Sequence, residues 1–221
     1  MCALMVFDLD DTLYKERDYV RSGRRAVANA IGSELGLDAD GLMALMEAAP
    51  DAFDAVSAAI AGLAGADAWP VSRMVDTYRA HTPEISLDAD TRLVLEALRR
   101  RHTLAIVTDG NSVRQHAKIK VLGLYEFFSP ENIYVSDDAG SDKNTPVPFL
   151  AMERRHSSMR RYYVGDNLAK DFHWPGLRGW TTVMLIDSHG TNIRPQYPAE
   201  APPAFRPGIA ISSLKNLLTL P

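Results

Sequence analysis

The chain is poor in cysteine: Cys2 is the only one in 221 residues. That excludes an intramolecular disulfide framework and fits a reducing compartment. Positive charge is not in surplus either. With 24 basic against 28 acidic residues and a net charge of -4, the chain carries no electrostatic footprint for nucleic acid or an anionic membrane. No apolar run approaches the ~20 residues of a membrane helix, and the amino terminus has no basic region followed by a long apolar one. These absences predict a soluble cytoplasmic protein with a small-molecule partner, no nucleic acid and no membrane; they leave the oligomeric state open. His81, His102, His116, His156, His173 and His189 show no metal-ligand spacing, and no internal repeat is visible. A hydrophobic content of 46% is enough for a sizeable core.

What the chain does have is an acidic cluster at the end of an apolar run. Ala3 to Phe7 reads as a strand buried on both faces, so Asp8 and Asp10 should leave its carboxyl end pointing the same way, with no basic partner beside them. Like charges so placed demand a cation or a proton. Mg²⁺ is the simplest answer, because it is hard, takes only a few carboxylates and works with phosphate-bearing substrates. The bland alternative is a turn whose Asp11 or Thr12 caps the next helix.

Four further apolar runs resemble the first: Leu104 to Val107, Ile133 to Val135, Tyr162 to Val164 and Thr182 to Ile186. Helical patterns such as Asp90 to Arg101 and Ser112 to Leu122 separate most of them, which predicts a doubly wound α/β fold with a parallel sheet covered on both faces. In such sheets ligands bind beyond the carboxyl ends of the strands. The stretch 15–87 breaks the pattern. Rich in alanine, it places apolar residues at helical spacing over Ala26 to Leu35, Gly41 to Ala49, Phe53 to Leu63 and Ser72 to Ala80, and so predicts an inserted α-helical domain between core segments 1–14 and 88–221. The proline-bearing last thirty or so residues read as an extended tail, structural or an interaction arm, ending in a short amphipathic piece from Ile211 to Leu220.

Three later segments follow strands and stand ready to complete the Asp8 site. Thr108-Asp109-Gly110-Asn111 ends a strand and opens a helix, offering a hydroxyl and backbone N–H groups to a phosphate; capping by Thr108, Asn111 or Ser112 explains the same residues. Lys143 lies in a polar loop, where an ammonium could neutralise both a phosphate and a carboxylate, though a loop lysine is ordinarily just solvated. Gly165 to Asp171 supplies two more carboxylates after a glycine that lets the chain turn tightly. Asp166 is the better direct metal ligand, while Asp171 reads equally as a ligand, an orienter of Lys143 or a helix cap.

Together these segments resemble the haloacid dehalogenase-like (HAD) phosphohydrolase superfamily, in the subgroup with a helical cap inserted between its first and second motifs. Asp8 and Asp10 match the opening Asp-x-Asp-x-Thr, Thr108 the second motif, Lys143 the third, and Asp166 with Asp171 the fourth. The resemblance covers residues 1–14 and 88–190. Two positions depart from the pattern: Asn144 stands where proline commonly follows the lysine, and Asp109 puts an acid beside the phosphate cradle, its side chain expected to turn away.

The resemblance implies a Rossmann-like core and a Mg²⁺-dependent phosphatase acting through an aspartyl-phosphate on Asp8. Asp10 is implied as general acid and base, helped by Thr12. Thr108, Asp109, Gly110, Asn111 and Lys143 are implied around the phosphate, and Asp8, Asp10, Asp166 and Asp171 around the metal. Dehalogenases of the superfamily lack the second carboxylate that Asp10 provides. A phosphosugar mutase needs the same core, and a non-catalytic binder is the third reading, disfavoured because every motif residue is present. The substrate is a small phosphorylated metabolite, either a nucleoside monophosphate or a sugar phosphate. Arg17, Arg21, Arg24, Arg25, Arg73 and Arg79 in the insert are candidate contacts, and Trp69, Trp174 and Trp180 read as packing residues.

Overall fold

The computed structural model describes residues 2–220. The first apolar run forms β1 (Ala3–Phe7), with every residue buried. β2 (Thr103–Thr108), β3 (Ile133–Val135), β4 (Arg160–Gly165) and β5 (Thr181–Leu185) follow the four later runs, with bounds shifted by a residue or two. All pair in parallel, and the sheet runs β3-β2-β1-β4-β5-β6. β2 lies on one side of β1 and β4 on the other. The strand order therefore reverses beside β1, and that reversal opens the crevice into which Asp8 emerges.

Part of the extended tail is structural, for it supplies a sixth strand to the sheet. β6 (Ile209–Ile211) pairs in parallel with β5, and a 3₁₀ turn over Leu214–Thr219 buries Leu214 and Leu217. A three-residue strand among prolines carries too little alternation to be read from sequence.

In chain order the helices are α1 (Glu16–Leu35), α2 (Ala39–Ala48), α3 (Ala52–Ile60), α4 (Val71–Ala80), α5 (Ala89–Arg99), α6 (Ser112–Val121), α7 (Ser136–Ala139), α8 (Val147–Arg155) and α9 (His173–Leu177). α5 starts where the Asp88 carboxylate accepts the Thr91 N–H at 2.8 Å, and it buries Val94, Leu95 and Leu98 at helical spacing. α8 presents Phe149 and Met152 to a sheet face built from Leu4, Val6, Ala105, Val107 and Tyr163. The Phe149 and Tyr163 rings meet edge to face, with centroids 5.3 Å apart.

The chain separates into two compact units: the sheet with its helices, made of residues up to Arg17 and from Ser86 on, and Asp18–Ile85. The second is all helical, with its own core of Val27, Ile31, Met43, Met46, Val56, Trp69 and Met74. α1 begins well before the expected Ala26, because its first turns bury Tyr19, Ser22 and Gly23, a stripe without aliphatic side chains. Gly23 is required there: a Cβ would stand 2.4 Å from the Tyr78 ring. Arg21, Arg25 and Arg73 pair with Glu47, Asp40 and Glu34, and Trp69 is buried in the core of this unit. Among the described residues no helix is long and apolar enough to cross a membrane.

Candidate active site

Asp8 lies one residue past β1, and its N–H still donates to the Val164 carbonyl at 2.9 Å, as though the ladder continued. The strand therefore fixes its direction. Asp8, Asp10, Thr108, Asp109, Gly110, Lys143 and Asp166 all line one cavity of about 370 Å³. Asn111 and Asp171 do not line it. Asn111 instead caps α6, its side chain accepting from Arg114 N and donating to Asp137. The N–H of Gly110 is likewise taken, by Ser136 Oγ at 2.9 Å.

Lys143 joins the segments. Its Nζ lies 2.8 Å from Asp8 Oδ1 and 2.7 Å from Asp171 Oδ1, and its residue is 3% exposed. Burial alone would favour the neutral amine, but Asp171 and Asp8 outweigh it and hold Lys143 as an ammonium, well above its ordinary range. Asp171 is fully buried and accepts four hydrogen bonds: from Lys143 Nζ, from the Tyr163 hydroxyl at 3.2 Å, and from the N–H groups of Asp166 and Asn167 at 3.1 and 2.8 Å. Gly165 makes this possible, since a Cβ there would stand 2.4 Å from Asp171 Oδ2.

One ammonium cannot neutralise this cluster. Asp8, Asp166 and Asp171 each place a carboxylate oxygen within 4.8 Å of the others. Burial, outweighing Lys143, pushes Asp8 up to about 7, with the Asp171 charge adding to the rise. Burial, then the charges of Asp8, Asp171 and Asp11, push Asp166 up to about 8. Carboxylates so crowded, with only oxygen donors facing each other, form a donor set suited to a hard divalent cation.

Asp10 has the opposite surroundings. Its Oδ1 accepts from Lys118 Nζ at 2.7 Å and from the Tyr14 hydroxyl, and its Oδ2 from Gln115 Nε2 at 3.1 Å. Burial alone would raise Asp10, but the Lys118 ammonium and the Tyr14 and Gln115 hydrogen bonds together hold it below its ordinary value. This corrects the expectation that the acids stand without a basic partner, and the one that Thr12 orients Asp10. Thr12 Oγ1 is buried without a hydrogen bond. Lys118 and Gln115 had no sequence signal beyond their spacing: three residues apart on α6, they share a helix face one turn into the helix that Thr108 introduces.

The two departures from the motif pattern also have places. Asp109 does not turn away; its Oδ1 accepts the Lys143 backbone N–H at 3.0 Å and its Oδ2 pairs with Lys170 at 2.9 Å, so it holds the lysine loop. Asn144 folds back on Asp142, and its carbonyl accepts the Trp174 indole N–H at 2.8 Å. Asp11, in the left-handed region at φ 54°, accepts the N–H of Glu16 at the start of α1 and that of Ile193, each at 3.0 Å. The tail thereby reaches the site, where Arg194 lines the same cavity.

A family model for haloacid dehalogenase-like hydrolases matches residues 2–172, and the chain belongs to that family. A glyceraldehyde 3-phosphate phosphatase of Methanopyrus kandleri is 26% identical over 219 residues, covering 91% of each chain. Another of that name, from Pyrococcus abyssi, is 29% identical, with 84% of this chain and 82% of that protein covered. A HAD hydrolase of Bacillus subtilis, solved bound to magnesium, superposes with a TM-score of 0.65 at 20% identity, covering 99% of each chain.

Proposed function

We propose that the chain is a Mg²⁺-dependent phosphatase that releases phosphate from a small phosphorylated metabolite through an aspartyl-phosphate on Asp8. The observation that carries this reading is the placement of Lys143 between Asp8 and Asp171, with the Asp166 carboxylate in the same buried cluster. Of the two substrate classes left open by the sequence, a sugar phosphate is favoured, because the curated relatives are phosphatases of a triose phosphate.

Asp8 and Asp166 would hold Mg²⁺ together with the backbone carbonyl of Asp10. Asp171, its four lone-pair sites already engaged, positions Lys143 and the 166–167 turn instead of ligating. When bound, Mg²⁺ neutralises charge on the phosphoryl oxygens and on the carboxylates around it.

Asp8 attacks phosphorus; the bond to the leaving oxygen breaks, and that oxygen takes a proton from Asp10. Asp10 then removes a proton from the water that attacks the acyl phosphate, which frees phosphate and restores Asp8. At rest its neighbours keep Asp10 ionised. The approaching phosphate dianion raises its proton affinity, as any like charge does, and so loads the acid for the first step. Thr108 Oγ1 accepts from Gln115 Nε2 at 2.8 Å, which leaves its own hydrogen for a phosphoryl oxygen. Of the cavity's cations, Lys143 and Lys170 are paired with acids, whereas Arg194 makes no hydrogen bond or ion pair among the described residues and is the group available to the substrate.

The test is phosphate release from a panel of phosphomonoesters, including glyceraldehyde 3-phosphate and nucleoside monophosphates, with Mg²⁺ or EDTA. Mg²⁺-dependent release that is lost in Asp8→Asn is the expected result. Isomerisation without free phosphate would replace the hydrolase with a mutase, and robust turnover by Asp8→Asn would remove the nucleophile.

A further inference from the structure

Asp166 is held from two sides, by its own motif through Asp171 and by a tail segment that contains none of the four motifs. Its N–H donates to Asp171 Oδ2 at 3.1 Å, its carbonyl accepts from Gln196 Nε2 at 3.0 Å, and its Oδ2 accepts from Asn192 Nδ2 at 3.0 Å. Asn192 is itself anchored: its N–H donates to Asp187 Oδ2 at 2.7 Å, and its side-chain oxygen accepts from Lys15 Nζ at 2.6 Å. Lys15 also lies 3.6 Å from Asp187 Oδ1.

The lysine decides which way the amide faces. An ammonium has only donors, so the amide atom beside it is the oxygen, and the NH₂ is thereby turned toward Asp166. Were the amide reversed, its oxygen would meet the Asp166 carboxylate and its NH₂ would meet an ammonium, two repulsive contacts in place of two attractive ones. Asp166 needs such a donor because the other groups crowding it include the acids Asp8, Asp171 and Asp11. With Oδ2 engaged, Oδ1 is left for a cation.

We propose that Lys15 and Asn192 form a relay that orients the metal ligand Asp166, each acting on Mg²⁺ affinity without touching the ion. The inference rests on the assignment of Asp166 as a ligand in the proposed Mg²⁺ site. It predicts that the two side chains act as one unit, because the lysine works only through the amide.

The test is titration of the metal-free protein with MgCl₂ by isothermal calorimetry, using wild type, Asn192→Leu, Lys15→Met, the double variant and Lys15→Arg, with Asp166→Asn as control. Loss of a hydrogen bond to a metal ligand weakens affinity by about 10–100-fold, the range expected for Asn192→Leu. Lys15→Met should weaken it in the same direction, the double variant no further than Asn192→Leu alone, and Lys15→Arg should recover most of the loss. Wild-type affinity in both single variants, fully additive losses, or no recovery with arginine would overturn the relay while leaving the metal site standing. Absence of Mg²⁺ binding by wild type, or undiminished binding by Asp166→Asn, would overturn the metal site and the relay with it. Thermal unfolding in EDTA shows whether each variant is folded; Asn192→Ser replaces an unfolded Asn192→Leu and Lys15→Leu an unfolded Lys15→Met, with the same loss expected of each.

Discussion

Asp8→Asn should stabilise the metal-free protein relative to wild type, by an amount that grows with pH. In the folded chain Asp8 titrates near 7, against an ordinary value of 3.8. Between those limits the folded state keeps a proton that the unfolded chain has lost, so this group's contribution is fully present below about pH 4 and falls as pH rises through the folded value. The slope is at most about 1.4 kcal/mol per pH unit, or roughly 2.5 kcal/mol between pH 5 and 7. Asparagine does not titrate and escapes the loss. Removing the Asp8 charge also eases Asp166, but proton uptake shared between the two acids makes the full figure an upper bound. At about 2–4 °C per kcal/mol for a chain of this size, the melting temperature of Asp8→Asn minus that of wild type should widen by about 3–8 °C from pH 5 to 7.5. Scanning calorimetry in EDTA measures it. A gap that stays constant or narrows over that interval would refute the account of Asp8 as a carboxylate destabilised by burial. Mg²⁺ should reverse the trend in wild type, stabilising it more at pH 8 than at pH 6, since the ion binds the ionised acids.

Gly165→Ala sets a Cβ 2.4 Å from Asp171 Oδ2 and must displace that carboxylate; a loss of about 2–4 kcal/mol in urea unfolding is expected, and one below about 0.5 would show that the turn can yield. Lys118→Met removes the counter-charge of Asp10 and raises its proton affinity, so the limb of the pH–rate profile that reports Asp10, alkaline for its acid step and acidic for its base step, should move to higher pH; an unmoved profile would separate Lys118 from the chemistry. Arg194→Ala should raise KM about ten-fold with a smaller change in kcat, read by steady-state kinetics on the best substrate of the panel, and an unchanged KM would place the substrate elsewhere.

The parallel sheet was legible because β1, β2, β4 and β5 are almost wholly buried, and burial on both faces leaves continuous apolar runs. The residues that line the cavity were legible where each follows a strand: Asp8 after β1, Asp109 and Gly110 after β2, Asp166 after β4. Side chains acting from helices and from the tail were not. Lys118 is buried on α6, where a lysine ordinarily lies in solvent, and only the fold shows that its charge has Asp10 to meet. Asn192 and Gln196 sit among prolines in a segment with no periodicity, and their value comes from contacts made across the chain to Asp166. For Asp171 the sequence left three roles open, ligand, orienter of Lys143 or helix cap, because a carboxylate that binds a metal and one that accepts four hydrogen bonds look alike in sequence.

The tail's hold on Asp166 comes from outside the stretch that the family model matches. The family match ends at residue 172, before β5, β6 and Asn192. A fragment cut at that boundary would retain all four signature segments and lose the strands and amide that steady the last of them. Under the proposed relay, substitutions at Lys15 or Asn192 would change this chain's cation demand while its four signature segments stay fixed.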